Sequence, residues 1–253
     1  MNYVLTHIPE RENKPRNKGL TMVMDKGLST REAEDLVASS GKYVDIVKLG
    51  FGTSLLCPDL ENKINVYKQA DIKVYFGGTL FEAFVARDQF EEYRKYLLDC
   101  EVEYVEISDG VLPIDESLKC DYIRELAKDF TVLSEVGLKT GERHLTNDEW
   151  VEKMKAERVA GAWKVIAEAR ESGTIGIFNK DGSANTELIK TIDEAMNADN
   201  ILWEAPLKSQ QVWFIKNFGP EVNLGNIATN EVIALETLRA GLRGDTLLDF
   251  LPK

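Results

Sequence analysis

Short runs rich in Val, Ile, Leu, Tyr and Phe recur at 21–25, 45–49, 73–76, 104–108, 131–136, 164–169, 200–205 and 222–226. Each has the length and composition of a strand buried on both faces. Between them apolar residues fall three and four apart, which is the spacing of one helix face. Helices are therefore predicted near 29–40, 59–70, 88–100, 117–128, 147–160, 185–196, 207–217 and 229–240. Ser29-x-x-Glu32 and Thr146-x-x-Glu149 have the form of capping boxes, in which side chains satisfy otherwise unpaired backbone N–H groups at a helix start. Strand and helix alternate eight times, and parallel neighbours need a crossover of about a dozen residues, which a helix supplies compactly. The 253 residues fit one (β/α)8 barrel of about 250 residues, with no Pro/Gly/Ser-rich linker to divide it. The expectation is a single α/β barrel domain over 1–253, in which 1–17 is a polar leader whose Lys14-Pro15-Arg16 reads as a solvated arm.

A barrel of this kind carries its chemistry at the C-terminal ends of its strands. Those ends are unusually charged here: Lys26 follows the first strand, Lys48 lies in the second, Glu106 in the fourth and Glu135 in the fifth, with Lys139 just beyond. Glu168 and Arg170 mark the sixth, Glu204 the seventh, and Asn223, Gly225 and Asn226 the eighth. Residues two apart on a strand share a face, so Tyr104, Glu106 and Ser108 should point inward while Val105 and Ile107 face the helices. Lys48 alternates in the same way with Val47 and Leu49, and Glu168 shares a phase with Arg170. A charge inside a barrel costs several kcal/mol unless it is paired. For any one of these residues a structural salt bridge is an equal alternative; the whole set at one rim points to an active site. Gly77-Gly78 and Gly50-Phe51-Gly52 read first as tight turns and second as phosphate cradles. The run from Gly225 to Thr229 leads into a predicted helix, where free N–H groups favour an anion, and Lys208 opens the preceding helix.

Composition narrows the classes. Lys and Arg number 31 against 43 Asp and Glu, a net charge of −12, and no cationic stripe is present to replace nucleic-acid counterions or meet an acidic membrane. Cys57, Cys100 and Cys120 stand apart without a CxxC, so neither a disulfide framework nor a zinc ribbon is expected. His7 and His144 are the only histidines, which leaves Lys, Arg, Asp and Glu for catalysis. No apolar run approaches the ~20 residues that cross a bilayer, and the leader lacks a signal-peptide core; a soluble, cytoplasmic chain is expected.

The motifs Lys14-Pro15-Arg16, Asp25-Lys26-Gly27-Leu28, Lys48-Leu49-Gly50-Phe51-Gly52-Thr53-Ser54 and Gly77-Gly78-Thr79-Leu80-Phe81-Glu82 resemble those of phosphosulfolactate synthases. So do Val105–Gly110, Ser134–Gly137, Glu168–Gly173, Trp203–Pro206 and the run from Val222 through Ile227 to Thr246. Together they span roughly residues 14 to 246. In one departure, Leu138 stands where the family pattern has the first of two lysines, and Lys139 remains.

The resemblance implies a (β/α)8 lyase that adds sulfite to phosphoenolpyruvate with Mg²⁺. The product is (2R)-3-phosphosulfolactate, on the way to coenzyme M or sulfolactate. Several negative charges would then share one pocket, repelling by roughly 4 kcal/mol at ~4 Å even at an effective dielectric of ~20, so a cationic cup of Lys26, Lys48, Lys139 and Arg170 is expected. Lys139 is the expected acid that protonates C2 of an ene-diolate. Glu106, Glu135, Glu168 and Glu204 are the candidate metal ligands. Lys208, Gly225 and Asn226 would meet the phosphate, with Asn223 and Gly78 completing the substrate contacts. A homo-oligomer is expected. Two alternatives stand beside this: a Schiff-base, aldolase-like lyase, and a non-enzymatic stress-associated barrel of the kind that plant members of this family represent.

Overall fold

The structure, a computed structural model, describes residues 5–138 and 145–252. Eight strands, β1 (Thr21–Asp25), β2 (Ile46–Leu49), β3 (Lys73–Phe76), β4 (Tyr104–Ile107), β5 (Thr131–Val136), β6 (Lys164–Ala167), β7 (Ile201–Glu204) and β8 (Leu224–Ala228), pair in parallel in the order β3-β2-β1-β8-β7-β6-β5-β4. Strands β3 and β4 lie side by side and bring the ring round to a single (β/α)8 barrel. The helices among the described residues are α1 (Thr30–Ser40), α2 (Leu60–Gln69), α3 (Gly78–Val85), α4 (Phe90–Asp99), α5 (Glu116–Leu126), α6 (Asn147–Ala160), α7 (Thr186–Ala195), α8 (Lys208–Phe218) and α9 (Val232–Arg239). None is long and apolar enough to cross a membrane. Both capping boxes form, at Ser29/Glu32 and Thr146/Glu149.

Period-2 alternation divides the core into two layers. Leu20, Met22, Ile46, Tyr75, Leu133, Ile166 and Leu202 fill the barrel, and Tyr104 packs against them. Val23, Val47, Val105 and Ile107 take the opposite phase and pack in the layer beneath the helices.

Two elements differ from the sequence reading. Helix α3 starts at Gly78, where a tight turn was expected; its N-cap, Gly77, makes no side-chain capping bond, so the start carries no capping signature. Strand β8 sits two residues later than predicted, and its pairing with β1 contains a bulge: Thr21 lies opposite Leu224, but Val23 lies opposite Ile227.

The leader is not a solvated arm. Arg16 is buried, its Nε 2.7 Å from Asp45 Oδ1, and it also donates to the Lys42 carbonyl. Lys14 Nζ donates to the carbonyls of Gly41 and Ala70. The other Asp45 oxygen accepts from Thr21 N–H at 2.8 Å, so one carboxylate ties the leader to the start of β1. Asp45→Asn should cost about 3–5 kcal/mol by leaving a buried guanidinium uncompensated. A fall of roughly 10 °C in thermal unfolding is expected, read by circular dichroism.

Candidate active site

A cavity of about 430 Å³ opens at the C-terminal mouth of the barrel, and each of the eight strands or the loop that follows it supplies a lining residue. Lys48 and Glu135 reach it from β2 and β5, Glu204 from the end of β7, and Glu168 and Arg170 from just beyond β6. Met24, Thr79, Val111 and Ser172 complete much of the wall. None of these four is among the site residues that the sequence points to, because a thioether, two hydroxyls and a valine carry no charge to mark them.

Lys48 is the centre of the charge. Its Nζ lies 2.9 Å from Glu106 Oε2 and 3.4 Å from oxygens of both Glu135 and Glu204. Burial pushes this ammonium down, but the carboxylates of Glu106, Glu204 and Glu135 together outweigh burial and hold it well above the ordinary lysine range. Burial, with Glu135 and Glu106 adding to it against Lys48, raises the Glu204 carboxyl to about 7. Burial and the neighbouring Glu106 also hold the Tyr75 phenol well above its usual range.

Carboxylate oxygens of Glu135, Glu168 and Glu204 all lie within 4.8 Å of one another. That is close to the roughly 4.2 Å across an octahedral magnesium site, twice its metal–oxygen distance, and buried hard oxygens suit that ion. The residues present therefore fit Mg²⁺. Glu106 is not in this group; besides pairing with Lys48 it accepts from Gly78 N–H at 2.5 Å.

The backbone is shaped around these groups. A Cβ on Gly137 would stand 2.4 Å from Glu168 Cβ, and one on Gly176 would stand 1.8 Å from the Glu168 carbonyl oxygen. Only glycine at both positions lets Glu168 take its place. Lys119, fully buried, donates to the Glu135 carbonyl and pairs with Asp109 and Glu157, each at 2.7 Å. Glu82, also buried, accepts from Ser108 Oγ and from the N–H groups of Val111 and Leu112, fixing the loop after β4. Phe51, Arg170 and Asn226 line the cavity with positive φ of 56°, 40° and 54°. Such strain in non-glycine residues collects where function holds it.

Several candidates lie elsewhere. Lys26 stands exposed at the rim and does not line the cavity itself, but it pairs with Glu171, which does. Lys208 pairs with Asp245 at 2.8 Å and is likewise absent from the wall. Because β8 is displaced by two residues, Asn223 lies at the opposite end of the barrel, where its amide joins Leu20 N–H to the carbonyls of Asp199 and Ile201. Gly225 is interior packing, since a Cβ there would meet Met22 Cε at 2.8 Å. Gly78 is pressed against Ser108 and Glu106 and serves the seam between β3 and β4. Lys139 falls in 139–144, outside the described residues.

A model of the (2R)-phospho-3-sulfolactate synthase (ComA) family matches residues 9–245. The chain is 43% identical to the phosphosulfolactate synthase of Bacillus subtilis over 97% of its length and 99% of that protein. It is 46% identical to the phosphosulfolactate synthase of Methanothermobacter thermautotrophicus, over 94% of this chain and 95% of that one. Protein HEAT-STRESS-ASSOCIATED 32 of Arabidopsis thaliana is more distant, 22% identical over 91% of this chain and 88% of its own length.

Proposed function

The chain belongs to the (2R)-phospho-3-sulfolactate synthase family, and on that premise we propose that it adds sulfite to C3 of phosphoenolpyruvate, with Mg²⁺, to give (2R)-phospho-3-sulfolactate, in which the phosphate stays on the C2 oxygen and the sulfonate is on C3. The observation that carries this is the Lys48 ammonium held among Glu106, Glu135 and Glu204 at the mouth of the cavity. An acidic protein gains a place for anions only where fixed cations face a pocket, and Lys48 and Arg170 both line this one.

The sulfite sulfur uses its lone pair to form the C3–S bond. The C2–C3 π electrons move to C2 and into the adjacent carboxylate, and a proton is then added at C2 while the phosphate ester stays intact. Charge thus develops on the carboxylate, and Lys48, preorganised by its carboxylates, costs no reorganisation as that happens. Arg170 has no ion pair among the described residues and offers a second cation to the phosphate or to sulfite. Lys139 is the proposed acid for C2. Mg²⁺ held by Glu135, Glu168 and Glu204 would supply counter-charge to the substrate carboxylate. The reading makes the protein a cytoplasmic carbon–sulfur lyase whose product feeds coenzyme M or sulfolactate formation.

A Schiff-base reaction is disfavoured at Lys48, because imine formation needs a neutral amine and this one is held charged by its neighbours. The stress-associated reading is disfavoured by the higher identity to the synthases. Incubation with phosphoenolpyruvate, sulfite and Mg²⁺, followed by ³¹P NMR, tests the proposal. A new phosphate-ester resonance that requires sulfite is expected; none, or orthophosphate alone, would refute it.

A further inference from the structure

Strand β8 breaks its own alternation at one place. Leu224 and Ile227 face the helix layer, so regular pleating would leave one inward residue between them. Two residues stand there instead, and both face the barrel: Gly225 abuts Met22, and Asn226 lines the cavity. The extra residue is the bulge opposite Met22, between the Thr21–Leu224 and Val23–Ile227 pairs. A bulge gives up regular ladder pairing and re-aims a side chain. Asn226 also adopts φ 54°, within a strand rather than after a helix. Glycine at 225 leaves the space that makes the double inward placement possible, since any Cβ would meet Met22 Cε.

The residue delivered at this cost is not structurally employed. Asn226 is 8% exposed, and its Oδ1 is buried with no hydrogen-bond partner among the described residues. A buried amide oxygen without a partner is unfavourable, and a half-turn of the amide, which exchanges oxygen and nitrogen, places the NH₂ group at that same unpartnered position. Resting on the proposed reaction, we infer that Asn226 is a substrate-orienting residue, whose amide donates a hydrogen bond to an oxyanion of the bound reactants through its NH₂ group. It is a neutral donor in the cavity that Lys48 also lines, and it sits on a strand instead of a loop, which fixes its direction. The shared chemistry is an anionic oxygen, carried by both phosphoenolpyruvate and sulfite.

Asn226→Ala removes the amide, Asn226→Gly removes it while suiting the positive φ, and Asn226→Asp keeps the shape but replaces the donor with a carboxylate. Separate kcat and KM values for phosphoenolpyruvate and for sulfite are measured together with melting temperature. Loss of one hydrogen bond to a charged ligand is expected to lower kcat/KM by about 30-fold in the Ala and Gly variants, and by more in Asp, where like charges meet. A higher KM for phosphoenolpyruvate alone assigns the contact to that substrate, and for sulfite alone to sulfite; either supports the inference. The glycine variant should keep its melting temperature, which a purely structural role would not allow. Unchanged kcat/KM for both substrates, or a change confined to the Mg²⁺ requirement, overturns the inference. A wild-type protein without turnover would instead sink the proposed reaction, so the two failures are distinct.

Discussion

Lys48→Met is expected to lower kcat by about 10³-fold, roughly 4 kcal/mol, the scale seen when one preorganised group facing developing charge is removed. The same change leaves Glu106, Glu135 and Glu204 without the cation that all of them face. Breaking a buried pair in this way costs about 3–5 kcal/mol, so the variant should also melt roughly 10 °C lower. Stability and catalysis are separable with a second substitution. Glu106→Gln removes the closest carboxylate and still offers an oxygen to Gly78 N–H. The double variant Lys48→Met/Glu106→Gln should therefore recover much of the melting temperature and none of the turnover. Rates from the ³¹P assay and calorimetric melting curves provide both readouts. Recovered turnover in the double variant would remove Lys48 from the chemistry.

The second large effect concerns Glu135, Glu168 and Glu204. Glutamine at any of the three should raise the Mg²⁺ concentration for half-maximal activity by at least about 100-fold, since even residues that merely orient metal ligands typically carry 10–100-fold. Stability should move the other way in metal-free protein. Glu204 holds its proton up to about 7 when folded, against an ordinary value of 4.5. A carboxyl that binds its proton more tightly in the folded state stabilises fully below the unfolded value and loses that contribution as pH rises through about 7. Metal-free Glu204→Gln should thus melt above metal-free wild type, with the gap widening from about pH 5 to about pH 8. Added Mg²⁺ should raise the melting temperature of wild type more than that of the variant, because ligand stabilisation follows affinity. Calorimetric scans with EDTA and with Mg²⁺ decide the signs.

The barrel was legible because strand and helix have different periods, and the phase of β2 and β4 alone places Lys48 and Glu106 inside. Lys26 shows the limit. It lies one residue beyond β1, where alternation no longer dictates direction, and it turns to Glu171 at the rim. Asn223 lies at the opposite end of the barrel from the expected mouth because β8 begins two residues later than predicted, and a shift of two residues preserves the face while changing the depth. Lys208 opens its helix as expected, but Asp245, far along the chain, takes its charge. Lys63, Lys119 and Glu157 lie on helices, where a charged side chain is ordinarily solvated, yet all are fully buried. Their partners Asp25 and Asp109 lie at or beyond strand ends, and only the three-dimensional meeting of helix and strand reveals them.

The central claim is that metal, phosphoenolpyruvate and Lys48 share one mouth of the barrel. Its most direct measurement is the ³¹P relaxation of phosphoenolpyruvate with substoichiometric Mn²⁺ in place of Mg²⁺. Wild-type protein should broaden the phosphate resonance well beyond Mn²⁺ alone, and Glu168→Gln should abolish the added broadening. Tight Mn²⁺ binding without any effect on phosphorus, or broadening that Glu168→Gln leaves untouched, would contradict the account.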